Sequence, residues 1–337
     1  MKRTGVAVIG LGTWGNVHAL TYHKADRANL LYVCDLNEER AKESAQKFGC
    51  DYTTNMDDIA NNPNIEIVSV ATPDHLHFNP VLKMLNAGKN VIVEKPLTTN
   101  LDEARILTHT AEEKGLKFMT DFHLRWNMPF LLAKQNIKLG KIGKPIMAYA
   151  RQSNKASVLN HLSWAKHSGP EWFLLPHIID LIRWLIDQDA KKVFASGKKG
   201  LLLDMGYDLY DVIQAQVIFD DAVVTFESSW ILPESWPKAV DLRLDVVGTK
   251  GKLESRQDQQ GLEIASDIYE TPPVLGQIIS NDTQYGFFKE PILHFLDCVQ
   301  NNKECMVKIN DGLVVTQIIT AIRESIETGR VISIDSL

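Results

Sequence analysis

Val6-Ala7-Val8-Ile9-Gly10-Leu11-Gly12-Thr13-Trp14-Gly15-Asn16-Val17-His18-Ala19 is the stretch whose reading decides the fold. Its apolar, largely β-branched start suits a buried parallel strand. The run breaks at Gly10-x-Gly12-x-x-Gly15 and continues into a segment that can be helical. In such a turn the first glycine permits the tight bend and the second admits a pyrophosphate. The third lets helix and strand pack closely. The helix N-terminus then presents unpaired N–H groups and a partial positive charge to phosphate. Glycine turns are common, so the neighbours matter. A second apolar run, Leu30-Leu31-Tyr32-Val33-Cys34, ends in Asp35, about where an acid would hydrogen-bond the adenosine ribose 2′-hydroxyl. The stretch predicts a dinucleotide-binding fold. Asp35 argues for NAD and makes NADP less favoured, because no arginine stands immediately beside it; Arg40 is the nearest.

Strand and helix signals alternate from there to about residue 123. Asn37 to Phe48 is amphipathic and closed by Gly49, Met56 to Ala60 is a short helix, and Ile65 to Ala71 is a buried strand. That strand ends in Thr72-Pro73-Asp74-His75-Leu76-His77, a loop at a strand's carboxyl end, where open α/β sheets bind ligands. Helix Asn79 to Ala87, strand Val91-Ile92-Val93, helix Leu101 to Lys114 and strand Lys117 to Phe122 follow. This alternation predicts a doubly wound parallel sheet over residues 1–123, with its strand ends on one rim.

Past residue 124 the pattern changes. A helix over Pro129 to Leu139 is followed by strand-like runs at 146–151, 193–203, 212–219, 222–231, 240–247 and 252–254. Val224, Phe226, Ser228 and Trp230 alternate with Thr225, Glu227 and Ser229, as in a sheet with two different faces. Helices are expected at Phe173 to Ile186, Pro291 to Asn301 and Asp311 to Thr328, and residues 257–287 read as loop. Residues 124–337 are thus an α+β domain with a large, mainly antiparallel, open-faced sheet, which predicts a homodimer or homotetramer formed through the open face.

Composition narrows the function. A net charge of −6 gives no electrostatic case for nucleic acid or an anionic membrane. No run approaches the ~18 apolar residues of a membrane span, and Met1-Lys2-Arg3 is followed by too short an apolar run for a leader. Cys34, Cys50, Cys298 and Cys305 have no zinc spacing, so no metal is expected and the cysteines read as reduced packing residues. A cytoplasmic protein acting on a small molecule is the expectation.

Two groups carry the chemistry. Glu94-Lys95-Pro96 follows a buried strand, and a lysine delivered there beside a nicotinamide could hold a substrate hydroxyl or its alkoxide. His177 and Asp180 lie three apart in a helical stretch and share a face. Imidazole can accept the proton lost by an alcohol, although a lone histidine on an apolar helix is more often a packed core residue.

With these motifs in place, the chain resembles the Gfo/Idh/MocA family, the glucose-fructose oxidoreductase and inositol dehydrogenase relatives, nearly end to end. The resemblance rests on Gly10-x-Gly12-x-x-Gly15, Ala71-Thr72-Pro73, Glu94-Lys95-Pro96, His177-x-x-Asp180 and Gly248-Thr249-Lys250-Gly251. It implies NAD(P)-dependent hydride transfer at a sugar, polyol or cyclitol carbinol. It further implies Lys95 and His177 as catalytic residues in contact with substrate, and Asp35 as ribose ligand. Thr13, Trp14, Thr72, His75 and Glu94 would line the cofactor, and the family places cofactor and substrate contacts where His123 and Arg125 stand. The segment could instead be an ordinary domain junction in which Arg125 and Trp126 pack. Trp164 and Lys166 could close over a sugar ring or sit in a surface loop. One departure stands out: many members carry an Asp four residues before the histidine, where this chain has Phe173. Either Lys95 and His177 suffice, or another carboxylate substitutes, or the protein is a cofactor-binding sensor. Reduction of a non-sugar carbonyl or imine is a further reading.

Overall fold

The computed structural model describes residues 3–162, 164–238, 240–256, 262–267, 269–271 and 275–334. The chain forms two compact units, Met1–His123 with Ile279–Thr316, and Leu124–Ile278 with Gln317–Leu337.

In the first unit β1 (Thr4–Ile9), β2 (Ala28–Cys34), β3 (Asp51–Thr53), β4 (Ile67–Val70), β5 (Asn90–Glu94) and β6 (Phe118–Asp121) form one sheet in the order β3-β2-β1-β4-β5-β6. Every pairing in it is parallel, so all carboxyl ends lie on one rim. Helices α1 (Thr13–Lys24), α2 (Glu38–Phe48), α3 (Met56–Ala60), α4 (Phe78–Asn86) and α5 (Leu101–Glu113) connect the strands. Asn37, Asn55 and Asn100 accept first-turn N–H bonds at the starts of α2, α3 and α5, which fixes where these helices begin. Both sheet faces are covered, and β1 is buried at every position. That is the physical reason Val6 to Ile9 are all apolar.

The second unit opens with α6 (Met128–Lys138) and continues through β7 (Pro145–Lys155), α7 (Val158–His161), α8 (Pro170–Phe173) and α9 (Leu175–Ile186). Then come β8 (Ala190–Lys198), α10 (Leu201–Asp204), β9 (Val212–Phe219), β10 (Val223–Leu232), β11 (Asp241–Gly248) and β12 (Gly251–Arg256). The sheet runs β12-β11-β7-β10-β9-β8, completed by the terminal strand Ile332–Ser333. It is antiparallel except for β7 and β10, which pair in parallel. As the alternation requires, Val224, Phe226, Ser228 and Trp230 are all fully buried, on the face against which α9 packs. The other face carries the cross-strand row Met147–Val223–Ile218, exposed by 53%, 39% and 37%. Ion pairs flank that row, Arg151 with Asp241 and Asp245 with both Arg243 and Lys252.

Several boundaries differ from the sequence reading, each for a local reason. Helix Phe173 to Ile186 is two helices broken at Leu174, because Pro176 has no N–H to donate and belongs in a first turn. Leu201 to Leu203 is helical rather than strand, since the Asp211 carboxylate accepts the N–H groups of Leu201 and Leu202 at 2.8 Å each. Within 257–287, read as loop, short strands pair Ile264–Ala265 with Tyr269–Glu270, and Ile278–Ser280 with Thr283–Tyr285; residues 257–261, 268 and 272–274 lie outside the described residues. Lastly, a plain partition at residue 123 does not anticipate the segment 279–316. Its helix α11 (Glu290–Gln300) packs on α1, with Arg27 paired to Asp297 at 2.8 Å. Helix α12 (Asp311–Thr328) begins in the first unit and ends in the second.

Candidate active site

The rim of the first unit gathers the nucleotide motifs. Gly10 has φ of +87°, a conformation open to glycine, and a Cβ there would meet the Ala71 carbonyl oxygen at 2.6 Å. At Gly15 a Cβ would lie 1.8 Å from the Gly10 oxygen, so α1 can approach β1 this closely only with glycine. Gly12 faces open space, with nothing within 4 Å of a built Cβ, and as N-cap of α1 it supplies no side-chain acceptor to the first-turn N–H groups. Asp35 ends β2. Its Oδ2 accepts the Leu11 N–H at 2.9 Å, which ties the acid to the glycine turn. Arg40 is closer than its sequence distance suggests: the first turn of α2 folds back and sets Nη1 3.3 Å from Asp35 Oδ2. Just beyond β4 the Thr72 hydroxyl oxygen is buried without a hydrogen-bond partner among the described residues. An open cradle at Gly12, uncapped N–H groups, a carboxylate at the end of β2 and an unsatisfied hydroxyl together fit a dinucleotide.

Lys95 and Glu94, both 4% exposed, occupy the end of β5. The Lys95–Pro96 peptide is cis. His77 is fully buried between the two neighbouring loops, with Nδ1 2.7 Å from the Pro96 oxygen and Nε2 2.9 Å from the Thr72 oxygen. His75 is half-buried in the single turn Asp74–Leu76. Trp14, in the first turn of α1, stacks on His123 with centroids 5.0 Å apart and meets Phe288 edge-on at 4.7 Å. Burial pushes the His123 imidazole down to about 4, helped by the charges of Lys95 and His18 and opposed by Glu94. It is therefore a neutral ring in an aromatic wall.

Behind the rim lies a group with no signal in any motif. His18 on α1 is completely buried, with Nε2 3.3 Å from Glu94 Oε1 and 3.5 Å from Asp121 Oδ2. Burial alone would lower its pKa, but the two carboxylates outweigh it and raise the imidazole to about 9. Burial lifts Asp121 to about 6, with Glu94 adding to the effect and His18 opposing it. Glu94 is held below its usual range, the bonds and charge of His18 overcoming the penalty of burial. The three donor atoms lie within 4.8 Å of one another, a set that could ligate a metal ion. At 3.3 Å and 3.5 Å the two carboxylate oxygens also lie within hydrogen-bond and ion-pair reach of the ring nitrogen, which accounts for the grouping without an ion.

The remaining candidates belong to the second unit. His177 is buried in the first turn of α9 with Asp180 on the same face. Arg125, 2% exposed, is engaged by Asp180 through Nε to Oδ2 at 2.9 Å and a second bond from Nη2, and it lies over the Trp184 ring. Trp164 joins Phe173 at 6.0 Å, and Phe173 meets the fully buried Trp230 edge-on at 5.5 Å. Phe173 therefore completes an aromatic cluster at the position where the family resemblance implies an acid. Glu171, in the same turn of helix, is buried and pushed up to about 7, its own backbone bond and the charges of Arg323 and Lys199 opposing the shift. Two amides escaped the sequence reading because β7 extends to Lys155, past the expected end at Arg151. Among the described residues, Gln152 Oε1 and Asn154 Oδ1 are buried without partners, as is the Trp230 indole nitrogen.

The family follows from comparison with known proteins. Residues 4–122 match the family model described as oxidoreductase family, NAD-binding Rossmann fold, and residues 134–334 match its C-terminal alpha/beta domain. Scyllo-inositol 2-dehydrogenase (NAD(+)) of Bacillus subtilis is 27% identical, covering 98% of this chain and 96% of its own. Myo-inositol 2-dehydrogenase of Thermotoga maritima is 24% identical over 98% and 99%. Scyllo-inositol dehydrogenase from Lactobacillus casei, solved with bound cofactor NAD(H) and scyllo-inositol, shares the fold with a TM-score of 0.84 at 20% identity, over 99% of this chain and 100% of that one. With both family models matched in order along one chain, the protein belongs to the Gfo/Idh/MocA oxidoreductase family.

Proposed function

We propose that the protein is an NAD-dependent dehydrogenase of a cyclitol or closely related polyol, oxidising a secondary carbinol to a ketone. The observation that carries this reading is Lys95 at the carboxyl end of β5, on the rim that bears the glycine turn and Asp35. Relatives named as inositol dehydrogenases over nearly the whole chain support it. Gly12 and the first turn of α1 hold the pyrophosphate, Asp35 the ribose, and Thr13, Trp14, Thr72, His75 and Glu94 line the cofactor. NAD, when bound, supplies the hydride acceptor. Lys95 binds the substrate oxygen and stabilises the charge it gains as the C–H bond breaks, and His177 accepts the hydroxyl proton. Gln152 and Asn154 are suited to substrate hydroxyls, and Trp164 to a ring face. Arg125 acts through Asp180, anchoring the helix that carries His177. The enzyme is placed in the cytoplasm with its four cysteines unpaired, and it assembles through the open face of the second sheet. No helix among the described residues is long and apolar enough to cross a membrane.

Steady-state NADH formation with myo- and scyllo-inositol tests the reading. Turnover is expected, falling by about 10²–10³ in Lys95→Ala and by about 10²–10⁴ in His177→Ala, with NAD affinity nearly unchanged in Lys95→Ala. NAD binding without turnover on any cyclitol, polyol or sugar would overturn it in favour of a sensor. Wild-type rates in His177→Ala would remove that residue as the base.

A further inference from the structure

We propose that His18 is a positioning residue for Lys95: a buried imidazolium that ties the pyrophosphate-facing helix to the ends of β5 and β6 and holds the Glu94 carboxylate from which the lysine departs. The inference rests on Lys95 being the oxyanion-stabilising group.

The geometry forms a continuous chain of contacts. His18 Nδ1 lies 3.0 Å from the Ser69 hydroxyl, and the Tyr22 hydroxyl, one helical turn on, meets the same oxygen at 3.0 Å. This explains a serine in the middle of β4, fully buried between Val68 and Val70, since a buried hydroxyl must be satisfied. On the other side of the ring, Nε2 faces Glu94 and Asp121 together. Two carboxylates converging on one nitrogen in a site without solvent repel each other unless a positive charge or a shared proton sits between them. A doubly protonated ring supplies that charge and donates in both directions. Glu94 Oε2 then accepts the Lys95 backbone N–H at 3.2 Å, so the orientation of Glu94 passes directly into the backbone carrying the lysine. The titratable groups around His18 are Tyr22, which shares Ser69 with it, Glu94 at the end of β5 with Lys95 next in the chain, and Asp121 at the end of β6 with His123 just beyond. Lys95 and His123 offer no negative charge, so the ring answers to the two carboxylates. Ring protonation at neutral pH agrees with this balance.

The direct measurement is the ring protonation state in the intact wild-type protein, from long-range ¹H–¹⁵N spectra. His18 is expected to show two protonated nitrogens at pH 7.5, and a neutral tautomer there overturns the proposal. This measurement needs no turnover, so it stands even if no cyclitol is oxidised and the proposed function fails. The functional arm uses His18→Gln, which keeps a donor but removes the charge. NAD affinity by fluorescence titration should stay within about threefold, while kcat falls on the order of 10²-fold, as for a misplaced reacting group, with little change in KM. The pH profile of the residual activity should shift. Asp121→Asn added to His18→Gln, which removes one of the two opposed charges, should recover part of the rate. A folded His18→Gln enzyme with wild-type kcat and pH profile, or a double variant no better than the single, would reduce His18 to ordinary packing. If His18→Gln does not fold, His18→Asn is read by the same criteria.

Discussion

Asp35 meets both a backbone N–H of the glycine turn and the guanidinium of Arg40, and the proposed ribose contact makes this pairing a test of nucleotide choice. With the carboxylate present, a 2′-phosphate is repelled and Arg40 is partly occupied by its neighbour. If Asp35 holds the ribose as proposed, removing the acid would delete those hydrogen bonds and release the Arg40 guanidinium beside the 2′ position. Asp35→Ser should therefore weaken NAD by about tenfold or more, the scale of a lost charged hydrogen bond, and strengthen NADP. Dissociation constants by fluorescence titration decide this; unchanged preference would show that the carboxylate does not reach the ribose. Motif residues such as Asp35 and Lys95 are legible in sequence because the chemistry they serve fixes their spacing. His18, Ser69 and Asp121 are not, because their meaning depends on three elements meeting. A histidine on a helix and a serine inside a valine-rich strand each look ordinary until they are seen to satisfy one another.

At the scale of elements, the strands of the first sheet were the most legible, since strands covered on both faces are written as unbroken apolar runs. Boundaries were less so where a long-range partner decides them. Asp211 turns Leu201–Asp204 into a helix from ten residues away, a bond that no local pattern contains. The single-residue break between α8 and α9 matters most for chemistry, because it leaves Phe173 ending one helix and places His177 in the first turn of the next. In that position the Phe173 ring has two aromatic neighbours, one of them Trp230 with no exposure at all. Phe173→Asp should therefore not restore the usual acid at no cost. Losing the ring contacts and seating a carboxylate among indoles should destabilise the protein by about 1–3 kcal/mol, read as a lower Tm. An unchanged Tm with higher turnover would mean the acid is accommodated after all.

Over the whole molecule, the buried titratable groups give stability a definite dependence on pH. His18 binds its proton more tightly folded than unfolded, so its contribution is complete below pH 6.5 and is lost as pH rises through about 9. Asp121, raised to about 6, acts in the same sense at lower pH. His123, depressed to about 4, acts oppositely, losing stability as pH falls from 6.5 to 4. Glu171, raised to about 7, adds to Asp121, so His123 offsets only part of the change in acid, and above about pH 7 the His18 window dominates. Calorimetry should show a fall on the order of 1–3 kcal/mol between pH 6.5 and 9, flattened in His18→Gln; a flat wild-type profile would contradict the charged ring. The open sheet face makes a second whole-molecule prediction. Its exposed row of Met147, Val223 and Ile218, bordered by ion pairs, suits a self-complementary interface. Light scattering at micromolar concentration should report at least a dimer, dissociated by Val223→Lys; a wild-type monomer would oppose this. Finally, the return of residues 279–316 to the first unit bears on how the chain comes off the ribosome. The sheet of that unit is encoded within the first 121 residues, yet the helix that lies along α1 is not made until residue 300. The nucleotide-binding half must therefore wait, with one helix uncovered, while strands β7 to β12 of the second sheet are synthesised, and it closes only when the late segment emerges.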